Sequence, residues 1–155
     1  VKLARLSSEE LISRNLQRHV EEKILNLACP RCGQVFMDYD GCNALYCPRP
    51  GCNCGFCALC LEDCETFTIA RQGHDKTHQH MNSCHKYGRD FITAQRNRRS
   101  AMLKDLLSQL PRHWAERVLN DCLQALHDAG LDPAEFTGIF NKNPFADPNK
   151  ALGMY

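Results

Sequence analysis

Cys29, Cys32, Cys42, Cys47, Cys52, Cys57 and Cys60 follow one another at short intervals, with His74, His78, His80, Cys84 and His85 beyond them. Thiols and imidazoles at such spacings are zinc ligands: a Cys-x2-Cys pair presents two sulfurs to one ion across a tight knuckle, and a tetrahedral site needs a second pair. Cys29/Cys32 and Cys57/Cys60 are two such pairs. Cys47 and Cys52, with four residues between them around Pro50-Gly51, suit the closing half of the first site, with Cys54 as a substitute for Cys52. The second site must draw on Cys64, His74, His78, His80, Cys84 or His85. His80 with Cys84 is the preferred pair, and His78, or Cys84 with His85, are the alternatives. Cys42, directly after Gly41, is left over. A thiol outside the metal shells is a candidate nucleophile, because a metal-bound thiolate is already committed.

The elements that must position these side chains are short. Val35-Phe36-Met37 reads as a strand, Asp38-Tyr39-Asp40-Gly41 as a turn, and Ala44-Leu45-Tyr46 as the returning partner strand. Pro48-Arg49-Pro50-Gly51 is a second turn, and the polar stretch 65–83 reads as a loop carrying His74, His78 and His80. Upstream, Ser7 and Glu10 form a capping box before a helix with Ile12, Leu16, Val20, Ile24 and Leu27 on one face. That stripe must pack on the body of this chain or on a partner. Downstream, one helix carries Phe91, Ile92, Met102, Leu103, Leu106, Leu107 and Leu110 up to Pro111. A second carries Trp114, Val118, Leu119, Cys122, Leu123 and Leu126, with Gly130 as its stop. A short third helix starts at Asp132-Pro133, and the tail after Asn141 reads as irregular.

Composition bounds the class. The 155 residues suit one small domain with helical extensions, and the large aliphatics within the 43% hydrophobic content lie mostly outside the cysteine-rich part. Residues 29–85 hold too few large aliphatics to fold on apolar burial alone and need metal or disulfide staples. Eleven cysteines, two Cys-x2-Cys pairs and adjacent histidines favour metal, in a reducing compartment, cytoplasmic or nuclear. No apolar leader or membrane-length run is present, so neither secretion nor a membrane partner is expected. A net charge of +1 gives no footprint for nucleic acid. The local basic cluster of Lys86, Arg89, Arg96, Arg98, Arg99 and Lys104 reads as a solvated helix face, or as a docking surface for an acidic partner or RNA.

The order Cys29-x2-Cys32, nine residues, Cys42, then Cys47, Cys52 and Cys57-x2-Cys60 at four-residue intervals resembles the catalytic second RING (Rcat) domain of RING-between-RING ubiquitin ligases. Gly41 before Cys42, the Cys47-Pro-Arg-Pro-Gly-Cys52 knuckle and Phe56 before Cys57 are similar as well, over residues 29–84. The resemblance implies a small zinc-stabilised α+β fold holding two Zn2+ ions. A module of short hairpins over 29–85 would be flanked by an N-terminal amphipathic helix (1–28) and a C-terminal helical extension (86–155). It implies that Cys42 accepts ubiquitin as a thioester from a charged conjugating enzyme and passes it to an amine of a protein substrate. Two departures stand out. Ala44 occupies the position where the family often has a histidine base, leaving His74, His78, His85 and Asp40 as candidates. The segment between Cys60 and Cys84 is longer than usual. A four-thiolate zinc site, at net charge −2, would moreover raise the pKa of a neighbouring thiol. The in-between-RING domain shares the architecture without the nucleophile, but opens with cysteines four residues apart. The competing expectation is a non-catalytic zinc module that binds ubiquitin or a partner protein.

Overall fold

The computed structural model of the chain describes residues 7–36, 41–68 and 75–153. They pack as two units. One is the continuous stretch Asn26–Arg99; the other combines the chain before Asn26 with the chain after Arg99.

In the second of these, α1 (Ser8–His19) opens on the expected capping box. The Glu10 amide donates to Ser7 Oγ at 3.2 Å, and the Ser7 amide donates to Glu10 Oε2 at 3.0 Å. The helix runs into one π turn, Val20–Ile24, closed by the Leu25 amide donating to the Val20 carbonyl at 2.9 Å. The wider turn brings Leu25 into the same core as Leu16, Val20 and Ile24. That core continues through Leu103, Leu106, Leu107 and Leu110 of α3 (Phe91–Gln109) and Trp114 and Val118 of α4 (Arg112–Asp121). Leu27, placed on the helix stripe by its spacing, belongs to the core of the other unit. The helix expected over Trp114–Leu126 is two: α4 stops at Cys122, and α5 (Leu123–Asp128) continues to the left-handed Gly130 (φ 75°). Ile92 and Leu123 are exposed rather than core residues. Asp132 caps the 3-10 turn Pro133–Phe136, whose Phe136 is fully buried. The tail also holds a short helix, α6 (Pro148–Ala151), capped by Asp147.

The continuous unit is built on a three-stranded antiparallel sheet in the order β1 (Ala44–Tyr46), β2 (Cys54–Cys57), β3 (Asp63–Thr66). The partner of β1 is β2, with Ala44, Leu45 and Tyr46 opposite Cys57, Phe56 and Gly55. The strand expected at 35–37 is not its partner. Val35 makes a single bridge to Ala28, closing the first knuckle on itself, and Met37 and the Asp38–Asp40 turn lie outside the described residues. Residues 75–83, read as loop, form the helix α2 (Asp75–Ser83).

A buried polar network seats α2 on the sheet. Glu65 Oε2 on β3 accepts from the Thr77 amide at 2.8 Å, from Thr77 Oγ1 at 2.7 Å and from the Tyr46 hydroxyl at 3.4 Å. Burial pushes the Tyr46 hydroxyl up to about 12, which keeps it a donor. Gly55 leaves the room for this: a Cβ there would stand 2.6 Å from Thr77 Oγ1 and 2.8 Å from the Tyr46 ring.

Candidate metal centres and the Cys42 thiol

The two Cys-x2-Cys knuckles fold alike. In the first, the Gly33 amide donates to the Cys29 carbonyl and the Cys29 amide to the Gln34 carbonyl, both at 2.9 Å. In the second, the Leu61 amide donates to the Cys57 carbonyl at 2.7 Å and the Cys57 amide to the Glu62 carbonyl at 3.1 Å. The fifth position of each turn is left-handed, Gly33 at φ 80° and Leu61 at φ 63°. Leucine accepts that conformation because it packs on the apolar cluster around Phe56.

Each knuckle meets a second pair of donors. Cys29, Cys32, Cys47 and Cys52 form one group and Cys57, Cys60, His80 and Cys84 the other, with the ligand atoms of each group within 4.8 Å of one another. The Cys29–Cys52 and Cys32–Cys47 sulfur separations are 3.7 and 3.5 Å. A tetrahedron with metal–sulfur bonds of about 2.3 Å has edges of about 3.8 Å, so the donor set fits a zinc-sized ion. Disulfides need about 2.05 Å, and all eleven cysteines are unbridged. Such an ion would supply four directional bonds and about 10–16 kcal/mol of folding free energy per site.

The donor chemistry points the same way. Hydrogen bonds from the Gln34 backbone and from neighbouring thiols lower Cys32 to about 6, while burial pushes Cys47 up to about 12. In the second group the Cys60 thiol donates to Cys57 and lowers it to about 5, while Cys60 itself is raised by the same bond. One thiolate forms easily in each group and discourages the others, the arrangement a divalent cation resolves.

The remaining candidates fall outside both groups. Cys54 is buried and its thiol faces the Gly55 carbonyl at 3.7 Å; burial also raises its pKa. Cys64, half-buried, donates to the Glu62 carbonyl at 3.3 Å. His78 is half-buried and His85 exposed, neither in a donor group; His74 and Asp40 lie outside the described residues. Cys122 is a core residue of the helical unit. Arg98 of the basic cluster is fully buried, its Nη2 donating to Gln95 Oε1 at 2.8 Å, so that cluster is not a uniformly solvated face.

Cys42 is exposed and belongs to neither donor group. Its thiol lies 3.4 Å from the Ala44 carbonyl. It stands two residues before β1, where the Asn43 carbonyl accepts from the Ala58 amide at 2.8 Å. Ala58 is inside the second knuckle, so the chain beside Cys42 is tied to that metal group by its backbone.

Spacing alone does not reveal the residues that hold the groups in place. Arg31, inside the first knuckle, grips β3 through two bonds to Asp63, at 2.9 and 2.8 Å, and one to Thr66 Oγ1 at 2.8 Å. Arg89 donates to the Met81 and Cys84 carbonyls at 2.8 and 3.2 Å and fastens the chain where α2 delivers Cys84. Comparison with protein-family models, with curated proteins and with solved structures gives no match.

Proposed function

We propose that this chain is the thioester-forming module of a RING-between-RING ubiquitin ligase, with Cys42 as acceptor. The observation that carries the reading is that eight donors gather in two groups of four while Cys42, between the knuckles in sequence, is exposed and in neither. The Cys42 thiolate would attack the thioester carbonyl of a ubiquitin-charged conjugating enzyme. A new carbon–sulfur bond forms and the conjugating enzyme's thiol leaves. A substrate amine then attacks the Cys42 thioester, loses a proton and releases the thiol. The two donor groups act as frame, and the nucleophile sits two residues before the strand that this frame anchors.

The test is a non-reducing gel of the chain incubated with activating enzyme, conjugating enzyme, ATP and ubiquitin. We expect a ubiquitin adduct cleaved by thiol on the wild type and no adduct on Cys42→Ala. On Cys42→Ser we expect an adduct resistant to thiol and cleaved by hydroxide. An adduct on Cys42→Ala that matches the wild type overturns the assignment.

One observation favours a second reading, a zinc module that binds ubiquitin or a partner without catalysis. Ala44, buried in β1, stands where the family's base is often found. Under that reading Cys42→Ala leaves ubiquitin binding unchanged and the gel shows no adduct on any variant.

A further inference from the structure

We propose that Glu62 is a positioning residue for the second metal centre, holding His80 in the one tautomer that can act as ligand. His80 Nε2 lies 3.2 Å from Cys60 Sγ, facing the thiol group, and Nδ1 lies 3.2 Å from Glu62 Oε2. An imidazole binds a metal through a bare nitrogen, and the other ring nitrogen then carries the proton. Glu62 accepts that proton's hydrogen bond, so Nε2 is left with its lone pair toward Cys57, Cys60 and Cys84. A carboxylate behind a histidine ligand fixes both the tautomer and the ring plane.

The two knuckles supply an internal comparison. Glu62 and Gln34 occupy the same sixth position, each accepting the amide of its knuckle's first cysteine. Beside the all-cysteine group, Gln34 turns its side chain to the neighbouring Val35 carbonyl at 3.5 Å. Beside the group that contains a histidine, the same position carries an acid aimed at the far nitrogen. The left-handed Leu61 directs it: the chain reverses there, so the next residue comes back alongside the site. Glu62 is largely exposed, with 60% of its side-chain surface open. An exposed ion pair adds little to stability, so the contribution of Glu62 is orientation of the ligand.

The inference rests on the metal reading of the Cys57/Cys60/His80/Cys84 group and not on the chemistry proposed for Cys42. The test follows zinc transfer from the loaded full chain to a chromophoric chelator near neutral pH. It compares wild type, Glu62→Ala, Glu62→Gln, His80→Cys and the His80→Cys/Glu62→Ala double variant. Glu62→Ala should release one of two zincs about tenfold faster, the low end of the range for such outer partners, with the other zinc unchanged. Glu62→Gln, which still accepts from Nδ1, should lie closer to wild type. In the His80→Cys background, Glu62→Ala should change nothing, because the imidazole it acts through is gone. If Glu62→Ala holds only one zinc while the double variant holds two, the same conclusion follows. An unchanged release rate in Glu62→Ala overturns the proposal, as does equal acceleration in the His80→Cys background. A wild type that holds fewer than two zincs removes the site and the proposal together. Loss of the Cys42 adduct with these zinc results intact overturns only the ligase reading.

Discussion

Within each donor group the thiols compete for the right to ionise. Cys32 at about 6 and Cys57 at about 5 are largely thiolate at neutral pH, whereas Cys47, Cys52 and Cys60 are held protonated, Cys47 and Cys52 mainly by burial. A metal must therefore displace protons from the second set, and raising the pH makes that displacement easier. Zinc added to the metal-free chain at neutral pH should release at least three protons per chain, and apparent affinity should rise from pH 6 to pH 8. A weakly buffered titration with an indicator dye checks both; proton-neutral binding would contradict the ligand assignment. Arg31 belongs to the same scale. Its fork on Asp63 holds that carboxyl below the usual carboxylate range. Arg31→Ala should lower the stability of the metal-loaded unit, measured by denaturant unfolding at neutral pH. The sign follows from the depressed value: the contribution is complete above the ordinary carboxylate pKa and fades as pH falls through the folded-state one. The two Cys-x2-Cys pairs and Cys47/Cys52 are legible because their spacing is local, whereas His80 with Cys84 is one choice among several thiols and imidazoles downstream of Cys60. The partners of Arg31 and Glu62 lie in elements whose placement spacing does not encode.

Gly55, Glu65 and Thr77 act at the scale of elements. The sheet can receive α2 only because β2 has no side chain at Gly55, and α2 is what carries His80 to Cys60. Gly55→Ala should cost about 1–3 kcal/mol through overpacking and displace α2. Zinc content should then fall toward one per chain, with the Cys29/Cys32/Cys47/Cys52 group retained. Two zincs in Gly55→Ala, measured by atomic absorption, would show that α2 is seated by other means. The helix itself was illegible in the sequence for a physical reason. Asp75–Ser83 has Met81 as its one large apolar residue, so it shows no stripe. It is docked by the hydrogen bonds of Thr77 and by His80, whose ring meets Cys60 in the second donor group. The helices outside the metal unit were legible where packing decides them, as with Leu16, Val20 and Ile24. The pairing of β1 was not: Val35-Phe36 and Cys54–Cys57 are both short, and which of them pairs with β1 depends on how the knuckles close.

For the whole molecule, one sequence holds two units stabilised in different ways. The metal unit leans on its donors, and the helical unit on Leu16, Leu103, Leu107, Leu110, Leu126 and Phe136, all essentially inaccessible to water. A strong chelator should therefore unfold residues 26–99 while the helical unit keeps its signal, seen as partial loss of ellipticity and a remaining thermal transition. Complete unfolding on chelation would mean that the helical core does not stand alone. Leu16→Ala should cost the helical unit about 2–5 kcal/mol and leave two zincs bound.

The helical unit is discontinuous, with its first helix separated by the entire metal unit from the helices it packs on. On a ribosome delivering about 5–20 residues per second, the metal-binding stretch is complete several seconds before α4 and α5 emerge. During that interval α1 exposes its apolar face, and the nascent thiols can already capture their ions. Birth order thus favours metallation first, and a cell short of zinc at that moment would leave the cysteine-rich stretch unfolded and open to proteases even after the helical unit has closed.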